Sequence, residues 1–304
     1  AVMDLVNSGA VTNRYKENFP GKSLAAYAIG TPELMDWLNM NPLVEFQSLD
    51  KVFSPLRIGK NPCFVVVANA RKVDLTGRIA LHVGKTNVTT DPAEIIDFVN
   101  GAEISPGGYS IFALPSRNLK GESNILISIE DIPNQVNIRE SIDFVVTECG
   151  VANLNGRTIR ERALELIEVA HPDDRAHLVE EAKAHKILYA DQIYMAESAH
   201  LYPGDINFKQ TFKNNTTVRF RAIRPSDEEE MRRLFYRFSD ESVYYRYFTP
   251  LKTMPHSKMQ EYVNIDYGKV MSIVGLVGDS GRGQIIAEAR YVKDANRPYA
   301  DVAF

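Results

Sequence analysis

Six apolar residues in succession, Cys63-Phe64-Val65-Val66-Val67-Ala68, constrain the fold more than any other stretch of this chain. The run is too short for a buried helix and rich in β-branched residues, which predicts a central strand covered on both faces. Ser110 to Leu114, Ile125 to Ile129 and Phe144 to Thr147 are of the same kind. Between these runs lie helical patterns. Thr31-Pro32 places an N-cap and a first-turn proline ahead of a helix reaching Asn39. Asp91-Pro92 opens another over Ala93 to Val99, with Gly101 as its stop. Strands interleaved with helices predict an α/β layer architecture.

Beyond Thr147 the pattern turns helical and then changes class. From Thr158 to Ala170, Ile159, Ala163, Leu166, Ile167 and Ala170 share one face, and Arg160, Glu161 and Glu165 fall mostly on the other, read as solvated. A second helix follows His171-Pro172, with Asp173 and Asp174 where the helix dipole favours negative charge. Turn formers between Tyr202 and Asn215 predict a linker, set at residues 206–216. After it, Val218 to Ile223 alternates as a strand, and Ser226 with Glu229 forms a capping-box pattern ahead of a helix. A helix near Ser257 to Val263 and strands at Val270 to Val277 and Ile285 to Val292 complete an α+β module.

Lys and Arg number 35 against 39 Asp and Glu, and the resulting net charge of −4 gives no general attraction to nucleic acid or to an anionic membrane. No apolar run approaches the roughly 18 residues of a membrane span. Cys63 and Cys149 form neither a disulfide framework nor a paired-cysteine metal site, which favours a reducing, cytoplasmic setting. His177, His185 and His200 lack companions at ligand spacing, so no metal is expected. The first residues read as the middle of a helix, and Ala300 to Phe304 as a strand wanting a neighbour, so a longer parent protein is expected.

Several short segments carry chemistry. Gly107-Gly108 permits either a plain turn or close approach of backbone N–H groups to an acyl oxygen. Glu148 lies just past a strand's C-terminal end, where open α/β sheets place their ligands, and a solvated loop acid is the other reading. His171 stands at a helix boundary, where a backbone bond is the expected role.

Taken in order, Gly30-Thr31-x-Glu33-Leu34, Asn41-Pro42, Val73 to Gly77 and Val145 to Pro172 resemble the C-terminal half of the acetyl-CoA hydrolase/transferase family. The resemblance runs from Ala1 to about Ala182 and implies a CoA-transferase-type α/β domain, set here at residues 1–205. It implies acetyl-CoA and CoA as substrates, without a permanently bound cofactor. Family members attack acyl-CoA with a glutamate and pass through a glutamyl-CoA thioester, which splits a difficult exchange into easier steps. By motif spacing that glutamate falls about five residues before Ala1. Glu148 then has a supporting role, and Asn69, Gly107, Gly108 and Ser116 are the expected CoA- and acyl-binding residues. Two departures stand out: Ala68 occupies the place of the family's oxyanion-stabilising Asn, with Asn69 one position later, and Thr89 to Glu94, with Pro92, replaces a glycine loop. A lost oxyanion donor typically costs about 3–4 kcal/mol, so weak turnover with retained acyl-CoA binding is expected.

The remainder resembles the front half of a GNAT acetyltransferase, set at residues 217–304. Arg221-x-Ile223-Arg224-Pro225-Ser226-Asp227-Glu228, Ser242 to Phe248, Asp266-Tyr267 and Ala287-x-Ala289-Arg290-Tyr291 carry this likeness. It implies acetyl transfer to an amine, a protein lysine or a small molecule, with Arg246 and Phe248 in the substrate region; packing on the sheet is the other reading of those aromatics. The pyrophosphate loop of such enzymes follows their fourth strand, here Ala300 to Phe304. Gly278 to Gly283 lies between strands and reads as a hairpin turn. Exposed apolar surface on an α/β half favours self-association. A scaffold that binds acyl-CoA without catalysis is the competing reading.

Overall fold

The computed structural model describes residues 2–81, 93–132, 135–136, 139–194, 202–278, 283–293 and 299–304. Asp91-Pro92, the Thr89 to Asp91 part of the loop departure, His200 and the 279–282 turn lie outside the described residues. The chain divides into two compact units. Ala1–Lys72, Arg78–Leu114 and Ile129–Val146 form the first, and Val73–Gly77, Pro115–Ser128 and Thr147–Phe304 the second.

The first unit is built on parallel strands β1 (Val65–Asn69), β2 (Tyr109–Ala113) and β3 (Phe144–Thr147). β2 lies between the other two, with Val65 opposite Tyr109 and Ile111 opposite Phe144. The apolar run therefore forms an edge strand rather than a central one. Val65 and Val67 are 46% and 68% exposed, and only the alternate residues face the layer carrying helix α1 (Ala93–Ile104). Phe98 of that helix meets Phe64 and Phe53 with ring centroids 6.3 and 5.4 Å apart. Gly101 does not end α1. A Cβ there would sit 2.4 Å from Ile58 Cγ2, so this glycine admits a close helix contact in the middle of a helix.

In the second unit, Ile125-Leu126 pairs in parallel with Val73-Asp74, a shorter strand than the apolar run Ile125 to Ile129 suggests. Strand β4 (Gly150–Asn153) leads into α2 (Ile159–Glu168), whose Thr158 and Glu161 make a full capping box. α3 (Pro172–Ala184) follows. The expected solvated face of α2 is instead covered: Glu161 is 4% and Glu165 9% exposed, whereas Ile159 is 49% exposed. Arg157 lies 3.4 Å from Glu161 and 4.0 Å from Glu165, and Arg233 lies 3.7 Å from Glu161. Charge placement followed partners that sequence periodicity does not reveal.

An antiparallel sheet occupies the rest of the second unit, in the order β5 (Asn207–Thr211), β6 (Thr217–Ala222), β7 (Val270–Val277), β8 (Gln284–Lys293) and β9 (Ala300–Ala303). β5 falls within the expected linker. All five of its residues are exposed, so it carries no hydrophobic alternation to betray it. Between β6 and β7 lie α4 (Glu228–Arg237), α5 (Asp240–Tyr247) and α6 (His256–Val263). Ile223, Met231, Leu234, Phe235, Met259 and Ile285 share their core. Ser226 does not cap α4 as its pattern suggested. Asp227 takes the acidic role one turn earlier, accepting the Arg224 N–H at 2.8 Å while Arg221 clasps both its oxygens at 2.7 and 2.6 Å. β7 and β8 pair antiparallel up to Val277 opposite Gln284, the register expected of a hairpin.

Candidate functional site

Glu148 lies one residue past the end of β3. Thr147 shapes the turn, its hydroxyl donating to the Val169 carbonyl at 2.6 Å and accepting the Cys149 N–H at 3.0 Å. The Glu148 side chain is exposed yet fixed. The Ser116 N–H donates to its Oε2 at 2.9 Å, and the Ser116 hydroxyl donates to Oε1. Ser116 itself is wholly buried. The hydroxyl bond first, then the backbone bond, hold the Glu148 carboxyl below the usual carboxylate range, and the nearby His171 acts in the same direction. The result is an anion presented to solvent with lone pairs left for a ligand.

The loop carrying Ser116 is pinned from behind. Arg117 donates from Nε and Nη2 to the two oxygens of Asp174 at 2.9 and 2.6 Å, a forked pair of the strong kind. The Arg117 hydrogen bond keeps the Asp174 carboxyl below its ordinary range. His171 closes the corner as the N-cap of α3, its Nδ1 accepting the Asp173 N–H at 3.3 Å, which is the boundary role expected of it. Sequence reasoning missed the Arg117–Asp174 clasp. Asp174 reads as a helix-dipole acid, and its partner stands 57 positions away.

Ser116 and Glu148 thus meet in the second unit, while Asn69, Gly107 and Gly108 belong to the first. Asn69 closes β1 with an exposed side chain. Gly107 turns with φ +74°, and the Gly108 N–H is used within that turn, donating to the Ser105 carbonyl at 2.9 Å. A Cβ on Gly108 would fall 2.1 Å from the Ala102 carbonyl oxygen. The plain-turn reading accounts for both glycines.

Arg246 and Phe248, two positions apart in sequence, have opposite surroundings. Phe248 is 81% exposed, in the left-handed conformation that ends α5. Arg246 is buried against Glu288, which also accepts from Ser272 and from Arg290 Nε at 3.0 Å. The Arg246–Glu288 ion pair ties α5 to β8. Among the described residues no cluster of His, Cys, Asp or Glu is arranged to hold a metal, and no helix is long and apolar enough to cross a membrane.

The acetyl-CoA hydrolase/transferase C-terminal domain matches residues 30–182, half of the chain and the part that holds the Ser116–Glu148 corner. The chain belongs to this family. It is 39% identical over 184 residues to the 4-hydroxybutyrate coenzyme A transferase of Clostridium kluyveri, covering 60% of this chain and 43% of that protein. To the succinyl-CoA:cyclohexane-1-carboxylate CoA transferase of Geobacter metallireducens it is 37% identical over 183 residues, 60% of this chain and 42% of that one. Among solved structures, RipA from Yersinia pestis matches with a TM-score of 0.56 at 34% identity, covering 62% of this chain and 41% of its own. The chain therefore spans less than half the length of these relatives. The matched family domain ends before β5, so residues 217–304 have no part in it.

Proposed function

We propose that residues 1–205 bind acyl-CoA thioesters as the C-terminal part of a CoA-transferase or acetyl-CoA hydrolase, with Glu148 in a supporting role at the acyl site. The observation that carries this reading is the Glu148 carboxylate, exposed but oriented by the buried Ser116 through both oxygens. A fixed anion with free lone pairs suits a group that orients a nucleophile or takes a hydrogen bond from an acceptor acid; fixed polarity is what such sites use. The names of the family relatives supply the substrate class. Acyl-CoA binding with weak turnover has its own support in Ala68, which stands where the family has an oxyanion-stabilising Asn, and in the exposed Asn69 beside it.

The same proposal reads residues 217–304 as a GNAT module that moves acetyl from acetyl-CoA to an amine. Its support is the motif order together with an antiparallel sheet whose first crossover, between β6 and β7, is helical. Titration calorimetry of the protein with acetyl-CoA and with CoA tests the first part. Saturable binding of acetyl-CoA is expected, and it should weaken in a Ser116→Ala, Glu148→Ala double variant. Binding unchanged in that variant removes Glu148 from the site. Incubation with acetyl-CoA and a lysine peptide, read by mass spectrometry, tests the second; a peptide that gains no 42-dalton acetyl increment, roughly one acetyl group, counts against it.

A further inference from the structure

Within the second unit, the chain from Tyr202 onward has an apolar core of its own. Ile223, Met231, Phe235, Met259, Val274 and Ile285 belong to it, and part-buried side chains such as Phe238 and Tyr267 pack against it. Among the described residues, every member of this core lies at or beyond Ile223. Tyr202 joins the same part of the chain through its hydroxyl, which donates to the Ala222 carbonyl at 3.2 Å.

The contacts from this part back to α2 and α3 are of another kind. Arg233 of α4 lies 3.7 Å from Glu161 of α2. The Ser226 N–H donates to Oε1 of Glu168, the last residue of α2, at 3.2 Å. A strap of residues 187–193 makes the remaining contacts. Its start is tied to α3, where the Ile187 and Leu188 N–H groups donate to the Ala182 carbonyl at 2.9 and 3.1 Å. Its end lies on α6, where Gln192 Nε2 and the Ile193 N–H both donate to Gln260 Oε1, at 2.8 and 3.0 Å. Gln260 is wholly buried, and its Nε2 donates to Glu228 Oε2 at 2.6 Å. Between these ends, the Tyr189 ring meets His256 of α6 with centroids 4.0 Å apart, and the Arg160 guanidinium of α2 lies 3.6 Å from the Tyr189 centroid.

Such a seam opens more readily than a core, because amide and ionic groups that part exchange their bonds for bonds to water. One of its groups also resists closure. Burial pushes the Glu168 carboxyl above the usual range, with Arg224 opposing, so covering this acid is unfavourable. We infer that the chain from Tyr202 onward is a self-contained body docked on α2 and the 187–193 strap, and that this polar seam opens and recloses while both sides stay folded. The docking surface is Glu161, Glu168, Tyr189 and Gln192, and its occupant is the α4 and α6 side of the same chain. Interfaces between domains of one chain commonly have this polar, reversible character. The inference concerns attachment alone and stands whatever ligand either part takes.

Hydrogen exchange of the whole chain, resolved by NMR, tests it through the two amides that cross the seam, Ile193 and Ser226. The reference amides are those of the β6–β7 ladder around Val274, opposite Arg221. In the wild type the two seam amides should show equal protection within about threefold, at least about tenfold below that of the ladder, as a shared sub-global opening requires. Urea should accelerate ladder exchange well before it affects the seam amides, since opening the seam exposes little surface. Arg233→Glu, at a side chain 46% exposed and so compatible with folding, repels Glu161 and touches neither amide. It should accelerate both seam amides at least about tenfold and leave the ladder unchanged. Gln192→Ala should likewise accelerate Ser226, which it does not contact. The inference is overturned if either seam amide is unprotected in the wild type, or if seam and ladder share one protection and one urea dependence. It is also overturned if each variant affects only its own neighbours, because the contacts would then not open as one surface.

Discussion

Glu148 keeps its charge because a buried serine spends both of its donors on it. The effect is local and can be measured at the carboxyl carbon. In a Ser116→Ala variant the hydroxyl bond is gone and the Glu148 carboxyl should titrate at higher pH than in the wild type, by 13C NMR. The sign follows from the lowered folded value: its contribution to stability is present above the ordinary carboxylate range and is lost as pH falls through the lowered one. An unchanged titration would mean that the hydroxyl bond does not set the carboxylate's charge. Gly108 makes the second residue-scale case. Adding a Cβ 2.1 Å from a backbone carbonyl oxygen forces the end of α1 to shift. Gly108→Ala should lower stability by about 1–3 kcal/mol, the usual range for overpacking, in denaturant titration. The positive φ at Gly107 was foreseeable from the glycine pair; the crowding at Gly108 was not, since it depends on where α1 and β1 meet.

Helix α2 shows what periodicity can and cannot deliver. Its start at Thr158 and its apolar face apart from the exposed Ile159 were legible, because capping chemistry and a 3.6-residue stripe are local properties. The burial of Glu161 and Glu165 was not, because it depends on Arg157 and Arg233, the latter in a separate helix. Burial, followed by the neighbouring Glu168, pushes the Glu165 carboxyl up to about 7 from an ordinary 4.5. Below 4.5 both folded and unfolded chains hold the proton; between 4.5 and about 7 only the folded chain does. Unfolding then releases a proton, so stability falls as pH rises through that window and levels off above it. The loss is on the order of 3 kcal/mol at 1.36 kcal/mol per pKa unit. Glu165→Gln should flatten the decline between pH 5 and 7.5 in denaturant titration, with a residual slope from Glu168, which burial pushes in the same direction. An identical slope in both proteins would place the titration elsewhere. Strands followed the same division. β2 and β3 were legible as apolar runs, whereas β5 has only exposed residues and declared itself solely through its pairing with β6.

At the scale of the whole molecule, the family likeness and the geometry converge on one corner, assembled from the Ser116 loop, the turn after β3 and the start of α3. The ordered segments from Gly30 to Pro172 made the family legible before any coordinates. Glu148 was legible by position, but its fixation by Ser116 and the bracing of that loop by Arg117 and Asp174 required the fold. Asp174→Ala should therefore loosen the Ser116 loop, reducing kcat more than KM and partly restoring Glu148 to ordinary titration, whereas Asp174→Glu should recover part of the loss. The most direct test of the central claim is CoA transfer from acetyl-CoA to butyrate by the CoA-transferase of which residues 1–205 are proposed to be the C-terminal part, followed as butyryl-CoA by mass spectrometry. If Glu148 supports chemistry at an acyl-CoA site, the wild type forms butyryl-CoA, Glu148→Ala lowers the rate at least about a hundredfold, the usual cost of losing one preorganised polar group, and Ser116→Ala falls between them. Butyryl-CoA formed at the same rate by all three proteins would contradict it.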